Sequence, residues 1–284
     1  MIGDLMTSTP GWQATMPEGD TVYRLAKRLG FMVGNEVTHT SLRVPRYATV
    51  NFDRARCERV WPYGKHLFMQ FDEFVLHTHL KMEGYWRYYP VGSQSDPGHS
   101  ARVVLRLAKP GLNPATRREV EVVGHWLGVV EVFPAADFQA EMGYLGPDIL
   151  DPDFDAAEAR RRIEAQPDRE IGRAILDQHN VAGLGNVYRV ETCFLAGVHP
   201  ATLVKDVDVE KLLRIARRLI WENRDSELRV TTGVKIPGQD LFVYGRNHQP
   251  CRRCGAEIHS STLGGDDDLE RIIWWCPRCQ AQPK

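Results

Sequence analysis

At 284 residues with 43% apolar side chains, the chain is long enough for two or three domains with cores of their own, and it has no run of about 20 apolar residues to cross a membrane. A formal net charge of −1 excludes a uniformly basic protein, but balanced totals hide segregation, as where Asp266-Asp267-Asp268 offsets Arg160-Arg161-Arg162. Six cysteines, four of them in two C-x-x-C pairs, with no secretory leader, read as metal ligands in a reducing cytoplasm rather than as disulfides.

Met1 to Thr15 lack a basic segment followed by an apolar one, and residues 1–16 read as a leader or a mis-assigned start. Met16-Pro17-Glu18-Gly19-Asp20 follows. Loss of Met16 would leave Pro17 with a free secondary amine that can condense with an aldehyde-level carbon to a cationic iminium. Such an amine, with a pKa of about 8, is far less protonated near neutrality than a lysine at about 10.4. Glu18 then lies within reach as an acid/base. The alternative is an ordinary helix start, with Asp20 capping Thr21 to Leu29 and Gly30 ending it.

Beyond that helix the chain turns β-rich. Val75 to Leu80, Val103 to Leu107, Val120 to Val123 and Val129 to Phe133 are apolar runs punctuated by Gly, Pro and Ser, which predicts a sandwich or barrel. Lys65, in Tyr63-Gly64-Lys65-His66-Leu67, precedes an apolar strand; it either points into a cleft or faces solvent. His77 and His79 share a strand face and could bind a metal, but no third ligand stands near them in sequence. Met82, before the turn at Gly84, is either a wedge on a loop or a core residue.

The interval around Gly143 and Gly146 reads as a linker, and Phe154 to Glu227 as helical. There a helix over Arg169 to Gln178 runs into Gly183 and Gly185, and a second helix begins at Asn186. Free N–H groups at that start form an anion site to which Asn186 adds a side-chain donor, unless the glycine turn is merely a packing hairpin. Cys251-Arg252-Arg253-Cys254 and Cys276-Pro277-Arg278-Cys279 have the spacing of a closed Cys₄ zinc site. Zinc would staple a hairpin too small for its own core. Its arginines, interleaved with Trp274 and Trp275, suit nucleic acid, although a protein-binding ribbon fits too. Cys57 and Cys193 read as core thiols.

These stretches in this order resemble the formamidopyrimidine-DNA glycosylase/endonuclease VIII family of base-excision repair enzymes: a Pro-Glu start, G-K-H-L, H-L-x-M-x-G, D-Q…A-G-L-G-N and a zinc finger. The resemblance covers Pro17 to the C-terminus. It implies an α+β, multidomain fold: a helix plus β-sandwich over residues 17–135, a linker over 136–152, a helix–two-turns–helix domain over 153–240 and a zinc-finger hairpin over 241–284. It also implies a monomer acting on damaged DNA, duplex or single-stranded, through a Schiff base and β,δ-elimination. Pro17 would be the nucleophile, Glu18 its acid/base partner, and Lys65 a DNA contact that assists elimination. Asn186 and Arg271 would hold phosphates, with Lys81 and Met82 at the gap left by the flipped base.

Pro17-Glu18-Gly19 resembles the endonuclease VIII branch, which favours oxidised pyrimidines. Three features depart from the family pattern. Thr21 replaces a glutamate, Val123-Gly124-His125-Trp126 stands where an arginine–x–phenylalanine–glycine loop is usual, and Gly264 to Asp268 lengthens the finger.

Overall fold

The computed structural model describes residues 16–93, 97–110, 118–264 and 271–282. The reading of residues 1–15 as a leader, and most of the acidic insert, lie outside them. Helix α1 (Gly19–Leu29) leads into strands β1 (Glu36–Leu42), β2 (Cys57–Tyr63), β3 (His66–Phe71), β4 (Phe74–His79), β5 (Tyr85–Pro90), β6 (Ala101–Ala108), β7 (Val120–His125) and β8 (Val129–Pro134). Two four-stranded antiparallel sheets result, ordered β1-β6-β7-β5 and β2-β3-β4-β8. The sandwich expectation is met, and all four strands anticipated from apolar runs are present. Strands β1, β2 and β5 carry no such run because one side of each is partly open to solvent.

Between the sheets lie Val37, Leu67, Met69, Leu105 and Val122, joined by Val22, Ala26 and Leu29 of α1. Strand β3 is buried on both faces, which explains its continuous apolar run. Its other face, with Phe68, lies beneath the short α2 (Phe138–Met142) in a cluster with Val75, Phe133 and Met142.

The second domain comprises α3 (Ala156–Glu164), α4 (Ile171–Ala174), α5 (Asn186–Ala196) and α6 (Val209–Asn223), packed through Ile163, Ile175, Leu184, Leu212 and Ile220. The expected helix over Arg169 to Gln178 is only one turn long. Its N-terminal N–H groups pair with Pro200 and Thr202, and at its far end Gly183 N–H donates to the Gln178 side chain. Hairpin β9 (His259–Leu263)–β10 (Arg271–Trp275) is the C-terminal module. Its apolar side chains Ile258, Ile273 and Trp275 pack with Val190 and Phe194 of α5, so the finger shares a core with the helical domain.

Asp20 does not cap α1: the N-cap residue is Glu18, and neither side chain caps the helix. Asp20 is instead fully buried, with its carboxylate accepting from Arg229 Nη2 at 2.6 Å and Nε at 3.2 Å. Burial alone would raise the Asp20 carboxyl, but Arg229, Arg24 and the Thr21 N–H outweigh it and hold it below the usual range. This pair bonds the sandwich helix to the segment after α6. Removing one partner of a buried pair strands a charge, so Arg229→Met should destabilise the protein by about 3–5 kcal/mol. Adding Asp20→Asn should recover part of that loss in urea unfolding; losses that simply add would deny the coupling.

Candidate active site

The interdomain cleft, about 480 Å³, is lined by Pro17, Glu18, Lys65, Lys81, Met82, Asn186 and Arg271, together with Met16, His79, Gln178 and Gly185. Residues from the segment before α1, two sandwich turns, the head of α5 and the hairpin thus meet at one surface. All seven catalytic and DNA-contact candidates named from the sequence fall here.

Glu18 is 1% exposed, and its carboxylate accepts from Gly185 N at 2.7 Å, Val187 N at 2.8 Å and Tyr188 N at 3.5 Å. Arg229 Nη1 lies 3.8 Å from its Oε1. The anion site expected at the head of α5 therefore exists, but it is filled from within the protein rather than by a phosphate. A Cβ on Gly185 would lie 2.4 Å from Glu18 Cδ, so the glycine is required by the approach of this carboxylate. Gly19 N–H donates to Gly183 O at 2.9 Å and holds the head of α1 against the same loop.

Lys65 sits in the turn between β2 and β3. Gly64 there has φ +56°, where glycine is favoured, and its N–H donates to the buried Asp148 carboxylate at 2.9 Å. Tyr63 Oη donates to Gly146 O at 2.9 Å, which anchors the turn to the linker a second time. The bound turn leaves Lys65 in the cleft, and solvent-facing is the wrong alternative. Burial lowers the Lys65 ammonium to about 8; Arg271, Lys81 and Arg189 push the same way and Glu18 opposes them.

Leu80 is anchored in the sandwich core, and Gly84 N–H closes back onto Leu80 O at 2.9 Å. A Cβ at Gly84 would lie 2.5 Å from that oxygen, so the tight turn needs glycine and throws Met82 outward, 56% exposed at the cleft rim. Met82 therefore stands on an exposed loop at the cleft and not in the core. His79, read from sequence only as a possible metal ligand, also lines the cleft, and its Nδ1 accepts from Lys81 N at 2.9 Å. Asn186 is buried at the head of α5, its Oδ1 accepting from Arg189 Nη2 at 2.5 Å and its Nδ2 donating to Ile272 O at 3.0 Å. The amide thus spends one of its two N–H donors on the hairpin and keeps the second for another acceptor. Arg271 Nη1 lies 3.6 Å from Met16 Sδ.

Sequence reasoning did not find Arg229 or Asp20 as part of this site. Arg229 lies in no local motif and Asp20 reads locally as a helix cap; a contact spanning 209 positions joins them. Asp20 also supplies a buried carboxylate one position before Thr21, where the family's glutamate is missing.

Cys251, Cys254, Cys276 and Cys279 place one sulfur each within 4.8 Å of the others, the one such metal-ligand group among the described residues. Arg253 N–H points at Cys251 Sγ at 3.4 Å, and all four thiols are free. A four-thiolate cage of this size suits a tetrahedral ion with all positions taken.

Two family models match: the formamidopyrimidine-DNA glycosylase N-terminal domain over residues 16–122 and the formamidopyrimidine-DNA glycosylase H2TH domain over residues 145–221. The chain belongs to the formamidopyrimidine-DNA glycosylase/endonuclease VIII family. It is 41% identical to a probable endonuclease 8 2 of Streptomyces coelicolor, over 94% of this chain and 95% of that one. It is 40% identical to a DNA-(apurinic or apyrimidinic site) lyase Nei2 of Mycolicibacterium smegmatis, over 93% and 99%. The fold matches that of Lactococcus lactis Fpg (MutM), crystallised with DNA containing N7-benzyl-Fapy-dG, at a TM-score of 0.74 and 22% identity over 94% of this chain and all of that one.

Because Lys65 is charged below pH 8 and neutral above it, its attraction for phosphate should fall as pH rises through that value. Association rates with DNA, which report the free protein, should decline over that interval. Lys65→Arg, which keeps its charge, should flatten the decline; an unchanged profile in that variant would assign it to another group.

Proposed function

We propose that this protein is a bifunctional DNA glycosylase/AP lyase of base-excision repair, acting on oxidised bases with pyrimidines favoured. The observation that carries this reading is the convergence of Pro17, Glu18, Lys65, Asn186 and Arg271 on one cleft from three domains. Freed from Met16, the Pro17 amine attacks C1′ of a flipped nucleotide's sugar, and the base departs. The resulting iminium acidifies C2′, and loss of that proton expels the 3′ phosphate; a second elimination releases the 5′ phosphate. Glu18 serves as acid/base at the opening sugar, its position fixed by three N–H donors. Lys65 and Arg271 bring positive charge to the leaving phosphates, and Asn186 a neutral donor. Met82 fills the space vacated in the stack, with Lys81 beside it on the backbone. Since Met82 is the lone apolar side chain in Lys81-Met82-Glu83, single-stranded and bubble substrates also fit. The protein would act as a monomer, in the cytoplasm at the nucleoid; among the described residues no helix is long and apolar enough to cross a membrane.

Zinc is the ion that four thiolates of this spacing select, and when bound it holds the hairpin closed rather than taking part in the reaction. Cys276→Ser, or chelation, should therefore unmake the finger and weaken DNA binding at least about 100-fold while the sandwich stays folded by circular dichroism. Abasic-site cleavage at the wild-type rate in that variant would remove the finger from the DNA interface.

A non-catalytic DNA-binding paralogue is the second reading, and it applies to any form in which Pro17 remains acylated. Joined to Met16, the Pro17 nitrogen is an amide without a basic lone pair, and Met16 forms part of the cleft wall. Protein beginning at Pro17 should be trapped on abasic DNA by borohydride, and protein retaining residues 1–16 should not. Intact mass identifies each form. Trapping by the longer form would make another amine, with Lys65 the first candidate, the nucleophile.

A further inference from the structure

Behind Lys65, on the α2-facing side of the second sheet, lies a row of titratable groups, with His66 and His77 buried, that the proposed reaction leaves unused. His66 and His79 face each other across β3 and β4, and His77 and Glu131 across β4 and β8. The spacing and register join them into one line. His66 Nδ1 and His77 Nε2 are 2.8 Å apart, and His77 Nδ1 and Glu131 Oε2 are 2.9 Å apart. Phe68, fully buried, stacks on His77 at 4.8 Å and keeps water from the line. The inner end adjoins Lys65 in sequence and His79 in space; the outer end is open, the Glu131 side chain being 44% exposed against 3% for His77.

The hydrogen bonds dictate the tautomers. Glu131, an acceptor as the carboxylate, requires a proton on His77 Nδ1. Neutral His77 then accepts at Nε2, so His66 carries its proton on Nδ1 and presents a lone pair at Nε2. A proton arriving on His66 Nε2 forms one N–H bond there, while the His66 Nδ1–H bond breaks as the His77 Nε2–H bond forms. His66 ends neutral in the opposite tautomer, and His77 becomes an imidazolium paired with the Glu131 carboxylate. The added charge has moved from His66, whose ring lies 4.8 Å from that of cleft-lining His79, to His77. Electrostatics favour that direction: Lys65, Lys81 and His79 all oppose a charge on His66, whereas Glu131 and, farther off, Glu141 of α2 favour one on His77. Burial holds both rings neutral at rest, with His66 lowered to about 2.

We propose that His66, His77 and Glu131 form a proton relay that takes up the proton released during elimination while DNA covers the cleft, and returns it when the cleft reopens to water. It rests on the lyase reading, in which elimination from the iminium releases the C2′ proton as phosphate leaves. His66 would receive the proton; His77 and Glu131 act through it as positioning residues.

The test uses protein beginning at Pro17, on preformed abasic duplex at saturating enzyme. Elimination is timed in single turnover across pH and in H₂O/D₂O mixtures. Glu131→Gln, at a half-exposed position, and His77→Phe, a ring that can stack on Phe68, should each trap with borohydride and bind DNA like wild type. Each should eliminate about 10-fold or more slowly, most of all at low pH. Of the protons in flight only that of His66 Nδ1 exchanges with water, so the wild type should show a solvent isotope effect linear in deuterium fraction, and each variant should lose it. Variants that trap normally and keep the wild-type rate, pH profile and isotope dependence would overturn the relay. So would lowered melting temperature with those kinetics intact, which would leave the row a structural role. Failure of wild-type protein to trap would instead overturn the lyase reading, and the relay with it.

Discussion

The carboxylate of Glu18 reaches across from the sandwich domain into the head of α5, where three backbone N–H groups converge on it. A helix start leaves such donors without partners inside its own ladder, and a carboxylate is the group best suited to them. One buried contact therefore does three things. It joins the two domains, it fixes the residue next to Pro17, and it fills a site that a phosphate would otherwise occupy. Gly185 follows from the same constraint, since its hydrogen is all that fits beneath the Glu18 side chain.

Around that contact the site is assembled from turns held at their bases. Asp148 and Gly146 of the linker grip the Lys65 turn, Leu80 and Gly84 shape the Met82 turn, and Gln178 clasps the glycine loop. Asp20 and Arg229 repeat the interdomain connection with a buried ion pair. Lys65 and Met82 therefore extend from turns whose backbones are held in place, so little ordering of these two remains to be done when a substrate arrives.

The charge distribution reconciles a neutral protein with a polyanionic partner. Lys65, Lys81 and Arg271 gather at the cleft, whereas much of the acidic side chain is spent elsewhere, as in Glu158 and Glu164 pairing with Arg160 to Arg162 on α3. Crowding of cations in a partly dry cleft depresses Lys65, and the same cations make the histidines behind it poor places for charge unless Glu131 draws it outward.

Local chemistry made much of this legible in the sequence. The four strands with apolar runs, the helix start at Asn186, the turn at Gly84 and the paired C-x-x-C knuckles each depend on residues within a few positions of one another, and motif order pointed to the family. The Pro17, Lys65, Met82 and Arg271 candidates could be named for the same reason. Their meeting in one cleft, however, is a property of the packed domains. Tertiary structure alone decided that Asp20 pairs with Arg229 rather than capping α1, that Glu18 fills the α5 anion site, and that Asn186 is turned toward the hairpin. It also decided that His66, His77 and Glu131 line up, because cross-strand register sets which side chains face each other and no short-range pattern encodes it. The physical division is one of range: a turn or a knuckle is stabilised by its own neighbours, whereas a buried charge can be placed only once the partner that neutralises it has been folded against it.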